Sequence, residues 1–383
     1  MLPVPLDSYF QRIADENEPD SGVDRAVQTA LSAVSPAYGA GAWVNRFLHE
    51  FGVRERHSLA ATVFSVGNIT VGGTGKTPFT IWLARWLQRE GKSPAVLSRG
   101  YGRKNQDQLV VVHTGRRIKA KTDRAGDEPV MIADALGDVP VIACADRYRA
   151  GRYALRRFDV DACVLDDGFQ HFGLERQGEI VLLDATKPVE TLKIFPRGTL
   201  REPLTALKRA HLVVLTRCDQ ARNLGRFAKT VKRHAPHATV VRTFLRVTAI
   251  DQMNGFKTLT PERLKNQRVV VYCAVGNPDA VHETVAGLGA DVAALEADKD
   301  HAWPTRKTVE KVEKLRRKHH AKAALVTEKD AVKLHEAGAL PKSFYILRTE
   351  LAFASKQDEQ RAIRALRARL HAKRTRGFLK SRF

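Results

Sequence analysis

The 383-residue chain has little cysteine, little aromatic content and no long, purely apolar run. Its four cysteines, Cys144, Cys163, Cys218 and Cys273, lie far apart and form no Cys-x-x-Cys pair. That argues against a disulfide framework and against a zinc site built from cysteine pairs. Cys144, Cys163 and Cys273 each sit in an apolar run, as reduced core cysteines do, and a reducing compartment fits them. Aromatic residues make up 7% of the chain, and the basic C-terminal stretch holds almost none. The stacking surface of a single-strand nucleic-acid binder is therefore missing, and no nucleic-acid partner is expected. Met1 to Asp7 lacks the basic and apolar regions of a signal peptide. No internal repeat is visible.

What the chain has in excess is positive charge: 64 Lys and Arg against 42 Asp and Glu, a formal net charge of +22. Such an imbalance calls for an anionic partner, whether nucleic acid, an anionic membrane surface or a phosphorylated substrate. With 43% hydrophobic and 28% charged residues the chain is otherwise that of a globular protein. Its length suits two domains, or one large domain with an appendage. Residues Ala26 to Asn45 carry no formal charge over about the length a bilayer requires. The stretch nevertheless contains Gln28, Ser32, Ser35, Pro36, Gly39 and Gly41, and it runs into the aromatic and basic mix Trp43 to His49. An interfacial helix, a spanning helix and a core helix are all compatible with this pattern.

From Ala61 the pattern changes. Ala61–Val66 reads as a buried strand, followed by a glycine-rich turn and a helix from about Pro78. Phe79, Trp82, Leu83, Trp86 and Leu87 recur at three and four, so one stripe of that helix faces a core. Gly91 suits its C-terminal stop. Further short apolar runs follow at 95–97, 109–112, 139–144, 162–165, 180–183 and 212–215, most of them separated by helical lengths. This predicts a mostly parallel sheet with helices on both faces. Thr239–Val247 and Phe344–Ala352 alternate like half-exposed strands and are expected to pair as a two-stranded linker. Between them, 269–275, 292–295 and 323–326 predict a second, smaller α/β domain. The division is an N-terminal region 1–55, a nucleotide-binding domain 56–235, a smaller domain 236–352 and a basic C-terminal helix and tail 353–383.

The strongest chemical signal is Gly67-Asn-Ile-Thr-Val-Gly-Gly-Thr-Gly-Lys-Thr-Pro78, between a predicted strand and a predicted helix. In such a loop Gly72, Gly73, Thr74 and Gly75 turn backbone N–H groups onto phosphate oxygens, and the helix N-terminus adds positive potential. Lys76 would reach the outer phosphates and the Thr77 hydroxyl would ligate magnesium. Thr70 stands where the P-loop pattern has its first glycine. Downstream, Cys163-Val-Leu-Asp-Asp-Gly-Phe-Gln-His171 ends a strand in the carboxylates Asp166 and Asp167, one of which is placed to hold magnesium directly or through water. Ala125-Gly-Asp-Glu-Pro129 offers a carboxylate, in a Gly/Pro-framed segment, that could take a proton from an attacking hydroxyl. Arg99, Arg103, Arg147 and Arg201 lie at strand ends, where a transferring phosphoryl group needs cations. Leu212-Val-Val-Leu-Thr-Arg-Cys-Asp219 is similar to the base-reading element of G proteins, but Thr216 and Arg217 replace its Asn and Lys, so guanine specificity does not follow.

In combination these motifs resemble the tetraacyldisaccharide 4'-kinase family. The resemblance runs from about Leu31 to Leu351 and also includes Ser98-Arg-Gly-Tyr-Gly-Arg103, Leu200-Arg-Glu-Pro203 and Thr327-Glu-Lys-Asp-Ala-Val-Lys333. It implies a P-loop fold and transfer of the ATP γ-phosphate to the 4'-hydroxyl of a tetraacylated glucosamine disaccharide 1-phosphate, giving lipid IVA. It implies ATP and Mg²⁺ as cofactors and a lipid A precursor as substrate. It also implies attachment to the anionic inner-membrane surface, at the cytoplasmic face, through the N-terminal helix. By motif, the family's general base maps onto Asp127 and the supporting histidine onto His301. Lys76, Arg147 and Arg201 would neutralise the transferring group, and Thr77 with Asp166, Asp167 or Glu202 would complete the metal shell.

Overall fold

The computed structural model describes residues 22–103, 105–187, 193–299, 302–338 and 341–372. Among the described residues, thirteen strands form one sheet. They are β1 (Thr62–Asn68), β2 (Pro94–Ser98), β3 (Val110–Thr114), β4 (Pro140–Ala143), β5 (Ala162–Asp166), β6 (Gly178–Asp184), β7 (Leu212–Thr216), β8 (Thr239–Gln252), β9 (Thr258–Leu259), β10 (Arg268–Cys273), β11 (Asp291–Ala297), β12 (Ala323–Thr327) and β13 (Phe344–Phe353). The order across the sheet is β11-β10-β12-β13-β8-β7-β6-β1-β5-β2-β4-β3, with β9 attached to β8. Strands β2, β5, β1, β6 and β7 pair in parallel, and β3 closes one edge antiparallel to β4.

The strands read as unbroken apolar runs because both faces are covered. On β6, Ile180 and Leu182 join the cluster that contains Phe79 and Leu83, while Val181 and Leu183 point oppositely, toward Phe227 and Val231. The helix Lys76–Arg89 supplies the first face by burying Phe79, Leu83, Trp86 and Leu87. Burying such a side chain contributes about 1.5–3 kcal/mol. Trp82, partly buried, meets Phe353 edge-on at 5.0 Å. In the second half, Val270 and Tyr272 of β10 pack on one side and Val269 and Val271 on the other. This is the expected α/β fold with parallel strands and two covered faces.

The expected two-stranded linker is present and does more than join two halves. The first residues of β8, Thr239–Arg242, pair in parallel with β7, and Thr243–Gln252 then pair antiparallel with β13. A single 14-residue strand therefore belongs to both halves and makes the sheet continuous.

The basic C-terminal helix, Lys356–Leu370, returns to the first half. It buries Ala362 and Leu366 in the core beside Phe64 and Leu182, and Arg367 pairs with Glu90 at 2.7 Å. Its apolar side is core rather than a solvated or ligand-facing stripe. The basic residues from Lys373 to Arg382 lie outside the described residues.

The N-terminal helix, Gly22–Glu50, contains Pro36 and is anchored partway along. Ser35 Oγ donates to the carbonyl of Ile194 at 3.0 Å and accepts from the Arg197 N–H at 3.1 Å. Among the described residues, no helix is long and apolar enough to cross a membrane. The spanning reading of Ala26–Asn45 is not met. Cys144, Cys163 and Cys273 are buried free thiols, as their apolar surroundings suggest.

Candidate active site

The phosphate loop connects β1 to the helix Lys76–Arg89. Gly72 and Gly75 take φ of 99° and 82°, left-handed values open to glycine at little cost. Gly75 ends the loop as the helix N-cap. Thr70 is not in that region. It forms an antiparallel bridge with Leu200, flanked by Val71 N–H to Thr199 O and Arg201 N–H to Ile69 O, both 2.7 Å. Extended backbone needs no glycine, which explains the departure from the P-loop pattern. Asn68 braces the loop from beneath, donating to Thr74 Oγ1 at 3.0 Å.

The two adjacent carboxylates have opposite surroundings. Asp166, on β5, is 1% exposed, and its oxygens accept from the hydroxyls of Thr80 and Ser98, both at 3.2 Å. Burial, reinforced by Glu128 and Asp167, pushes its pKa up to about 7. Asp167 follows the strand in a left-handed conformation, φ 49°. Its carboxylate stands 3.6 Å from Lys76 Nζ and 3.1 Å from an Arg201 guanidinium nitrogen. Burial alone would raise the Asp167 pKa, but Lys76 and Arg201 together outweigh it and hold it below the usual range. Lys76, Asp167 and Arg201 thus converge as the motifs suggested.

Arg147 lies behind them, 3% exposed. It donates to Ala145 O at 2.9 Å and reaches Asp166 O at 3.5 Å, while its buried Nε has no partner. Burial lowers its pKa to about 10, against the pull of Asp166 and Asp167, so it remains a cation at neutral pH. Glu202 does not join this group. Both its oxygens are held by Arg209, at 2.7 and 2.9 Å, and Oε1 also accepts from Gln170. Arg209 in turn stacks on Phe169, 4.1 Å from the ring centre.

Asp127 begins the helix Asp127–Leu136. Gly126 before it has φ 91°, and a Cβ there would stand 2.9 Å from Tyr101 O. The loop after β2 and this helix therefore meet only because residue 126 is glycine. Asp127 Oδ1 accepts from the Glu128 N–H at 3.0 Å. Its Oδ2 lies 2.9 Å from Lys333 Nζ and 4.0 Å from Lys329 Nζ, both on the helix Glu328–Ala337 of the second half. His301 lies outside the described residues.

A cleft of about 440 Å³ runs between the halves. One wall is Val71–Pro78 with Tyr101, Glu128, Asp167 and Arg201; the other includes Val275–Asn277, Leu347 and Thr327–Lys329. Arg217, with φ 54°, pairs with Asp184 and donates to the Gly73 carbonyl at 2.8 Å, so it steadies the phosphate loop. Two elements escaped the sequence reading. Arg217 appeared only as a mismatch to a base-reading motif. Thr327-Glu-Lys-Asp-Ala-Val-Lys333 stood out as a family motif with no chemistry attached to it.

The loop fits a nucleotide polyphosphate: positive-φ glycines, a helix N-terminus, Lys76 and Arg201 all face one cleft. Thr77 and the ionised Asp167 are hard oxygen donors of the kind magnesium takes. Among the described residues, no group of three or more His, Cys, Asp or Glu side chains is gathered to hold a metal.

The model of the tetraacyldisaccharide-1-P 4'-kinase family matches residues 27–370. The chain belongs to that family. The tetraacyldisaccharide 4'-kinase of Halothermothrix orenii is 35% identical over 340 residues, covering 86% of this chain and 88% of that protein. The Syntrophus aciditrophicus enzyme is 37% identical over 296 residues, covering 75% and 79%. A crystal structure of LpxK from Aquifex aeolicus in complex with ATP superposes with a TM-score of 0.70 at 26% identity, covering 90% of this chain and all of that one. The kinase family and the P-loop α/β fold thus stand on sequence and structure together.

Proposed function

We propose that this chain transfers the γ-phosphoryl group of ATP to the 4'-hydroxyl of a tetraacylated glucosamine disaccharide 1-phosphate, the step of lipid A biosynthesis that yields lipid IVA. The observation that carries this is a cleft lined by the glycine-rich phosphate loop, Asp167 and Arg201, and by Glu128, the residue next to the buried Asp127. Gly72, Gly73, Thr74 and Gly75 bind the phosphates through backbone N–H groups. Lys76, Arg201 and the buried Arg147 offset the charge that develops on the transferring group. Thr77 and Asp167, backed by Asp166, would hold Mg²⁺, which would supply further charge neutralisation. Glu202, committed to Arg209, acts at a distance by fixing the loop that carries Arg201.

A sugar hydroxyl is a poor nucleophile. Asp127 accepts its proton as the bond to phosphorus forms, and His301 orients that carboxylate. Residues 56–235 and 236–352 act as two units that close on the substrates, excluding water and limiting ATP hydrolysis.

The enzyme works at the anionic cytoplasmic face of the inner membrane. Supporting this are the net charge of +22 and the exposed apolar residues Val23, Val34, Tyr38, Val44, Phe51 and Val53 along and just after the N-terminal helix. Each basic residue near such a surface contributes about 1 kcal/mol, screened by salt. Removing residues 1–50 is expected to shift the protein out of the membrane fraction; unchanged fractionation would exclude that helix as the anchor.

The deciding experiment supplies labelled ATP with tetraacyldisaccharide 1-phosphate, DNA or RNA. Label at the 4'-position of the disaccharide is expected. ATP turnover stimulated by nucleic acid, with no labelled lipid, would overturn the proposal.

A further inference from the structure

Lys333 is a lysine where a lysine is costly. Its residue is 2% exposed, and it meets a carboxylate that is itself 6% exposed. Desolvating both ions consumes most of what their attraction returns, and a well-packed apolar pair is often as stable or more so. Stability alone therefore gives a weak reason for this pair. Its geometry gives a stronger one. Lys333 Nζ lies 2.9 Å from Asp127 Oδ2 and donates to the Ala302 carbonyl at 3.2 Å. Ala302 directly follows His301 in the chain. The other Asp127 oxygen accepts from the Glu128 N–H, so both carboxylate oxygens have a defined donor or cation. Lys329, one turn earlier on the same helix, lines the cleft, whereas Lys333 does not.

We infer that Lys333 is a positioning residue for phosphoryl transfer. Its ammonium ties the Asp127 carboxylate, on the phosphate-loop side, to the backbone that follows His301 on the opposite side. Sealed from the cleft, it acts through Asp127 and the Ala302 carbonyl rather than on substrate. The inference rests on the reading of Asp127 as the general base.

The test uses the full-length enzyme with ATP and tetraacyldisaccharide 1-phosphate, and follows kcat, KM for ATP and thermal melting. Lys333→Met is expected to lower kcat about 100-fold, the scale on which a misplaced reacting group acts. KM for ATP should stay near the parental value, because Gly72–Thr77 are untouched. Lys333→Arg, which restores a cation, should recover much of the loss. Combining Lys333→Met with Asp127→Asn should cost little beyond Asp127→Asn alone, since the lysine acts through that carboxylate. A folded Lys333→Met enzyme with parental kcat overturns the inference, even if it melts earlier, because that is a purely structural lysine. Losses that multiply in the double variant also overturn it. Should Lys333→Met fail to fold, Lys333→Gln, which keeps a donor for Ala302 without the charge, takes its place with the same two criteria. Full activity in Asp127→Asn would defeat the base reading itself. An inactive Asp127→Asn beside a fully active Lys333→Met would defeat only the role of Lys333.

Discussion

The near wall of the cleft, Val71–Thr77, is built from backbone, and the far wall, Thr327–Lys329, presents side chains at the start of the helix that also carries Lys333. In the near wall the working groups are successive N–H donors, and left-handed glycines at 72 and 75 set their directions. In the far wall, Glu328 is held by Arg348 and by the Thr349 N–H and hydroxyl of β13, while Lys329 and Lys333 approach Asp127 from across the molecule. Burial raises the Glu328 pKa, with Arg348 and Thr349 opposing it. A backbone site needs only its own few residues to keep their conformation. A side-chain site needs the whole sheet from β12 to β8 to be in register. The near wall should therefore fail through charge or backbone chemistry, and the far wall through displacement.

The largest expected effect is at the junction of the two walls. Asp127→Ala should lower kcat by about 10²–10⁴, the usual share of general base catalysis, while ATP binding, measured by titration, stays close to parental. Lost ATP affinity would instead place Asp127 in the near wall. Lys76→Ala should cost about 10²–10³ in kcat in a folded protein, as when a transition-state contact is removed. Near-full activity would remove Lys76 from the reaction.

Gly126→Ala tests the backbone side of the junction. With φ 91° and Tyr101 O only 2.9 Å from the new Cβ, it should destabilise the fold by about 1–3 kcal/mol, read by denaturant titration. An unchanged midpoint would mean that the loop after β2 gives way freely.

The smallest effect lies away from both walls. His211, whose Nδ1 accepts from the Glu179 N–H at 3.0 Å, has its pKa lowered from 6.5 to about 4 by burial and by Arg369. His171 is lowered to a similar value, by burial and by Arg147 and Arg176. A depressed base takes up fewer protons folded than unfolded. This contribution to stability is therefore complete above pH 6.5 and is lost as pH falls through about 4. The parental melting temperature should fall across that window, and His211→Gln should fall less steeply. Parallel curves would assign the acid sensitivity elsewhere.

Much of this molecule was legible residue by residue. The runs at 162–165, 180–183 and 212–215 are strands, because a parallel strand buried on both faces must be apolar throughout. The alternating segments near 239–247 and 344–352 pair, because each has one face to cover. Lys76, Asp167 and Arg201 meet because the connections that follow the parallel strands β1, β5 and β6 open at the same edge of one sheet. The unequal fates of Asp166 and Asp167 were not legible. Adjacent residues of one motif are separated only by where Thr80, Ser98, Lys76 and Arg201 come to lie. The basic C-terminal helix was recognisable, but its charge pattern did not show that Leu366 is buried in the first half's core.

The amino-acid sequence by itself determined the phosphate loop, the parallel α/β order and the family, because each depends on residues close together in the chain or on a periodicity of two or 3.6. Only the tertiary structure decided that Lys333 meets Asp127 and that Arg217 holds the phosphate loop. Those contacts join residues whose nearness comes from the packing of the sheet and its covering helices, and no local pattern in the chain encodes that distance.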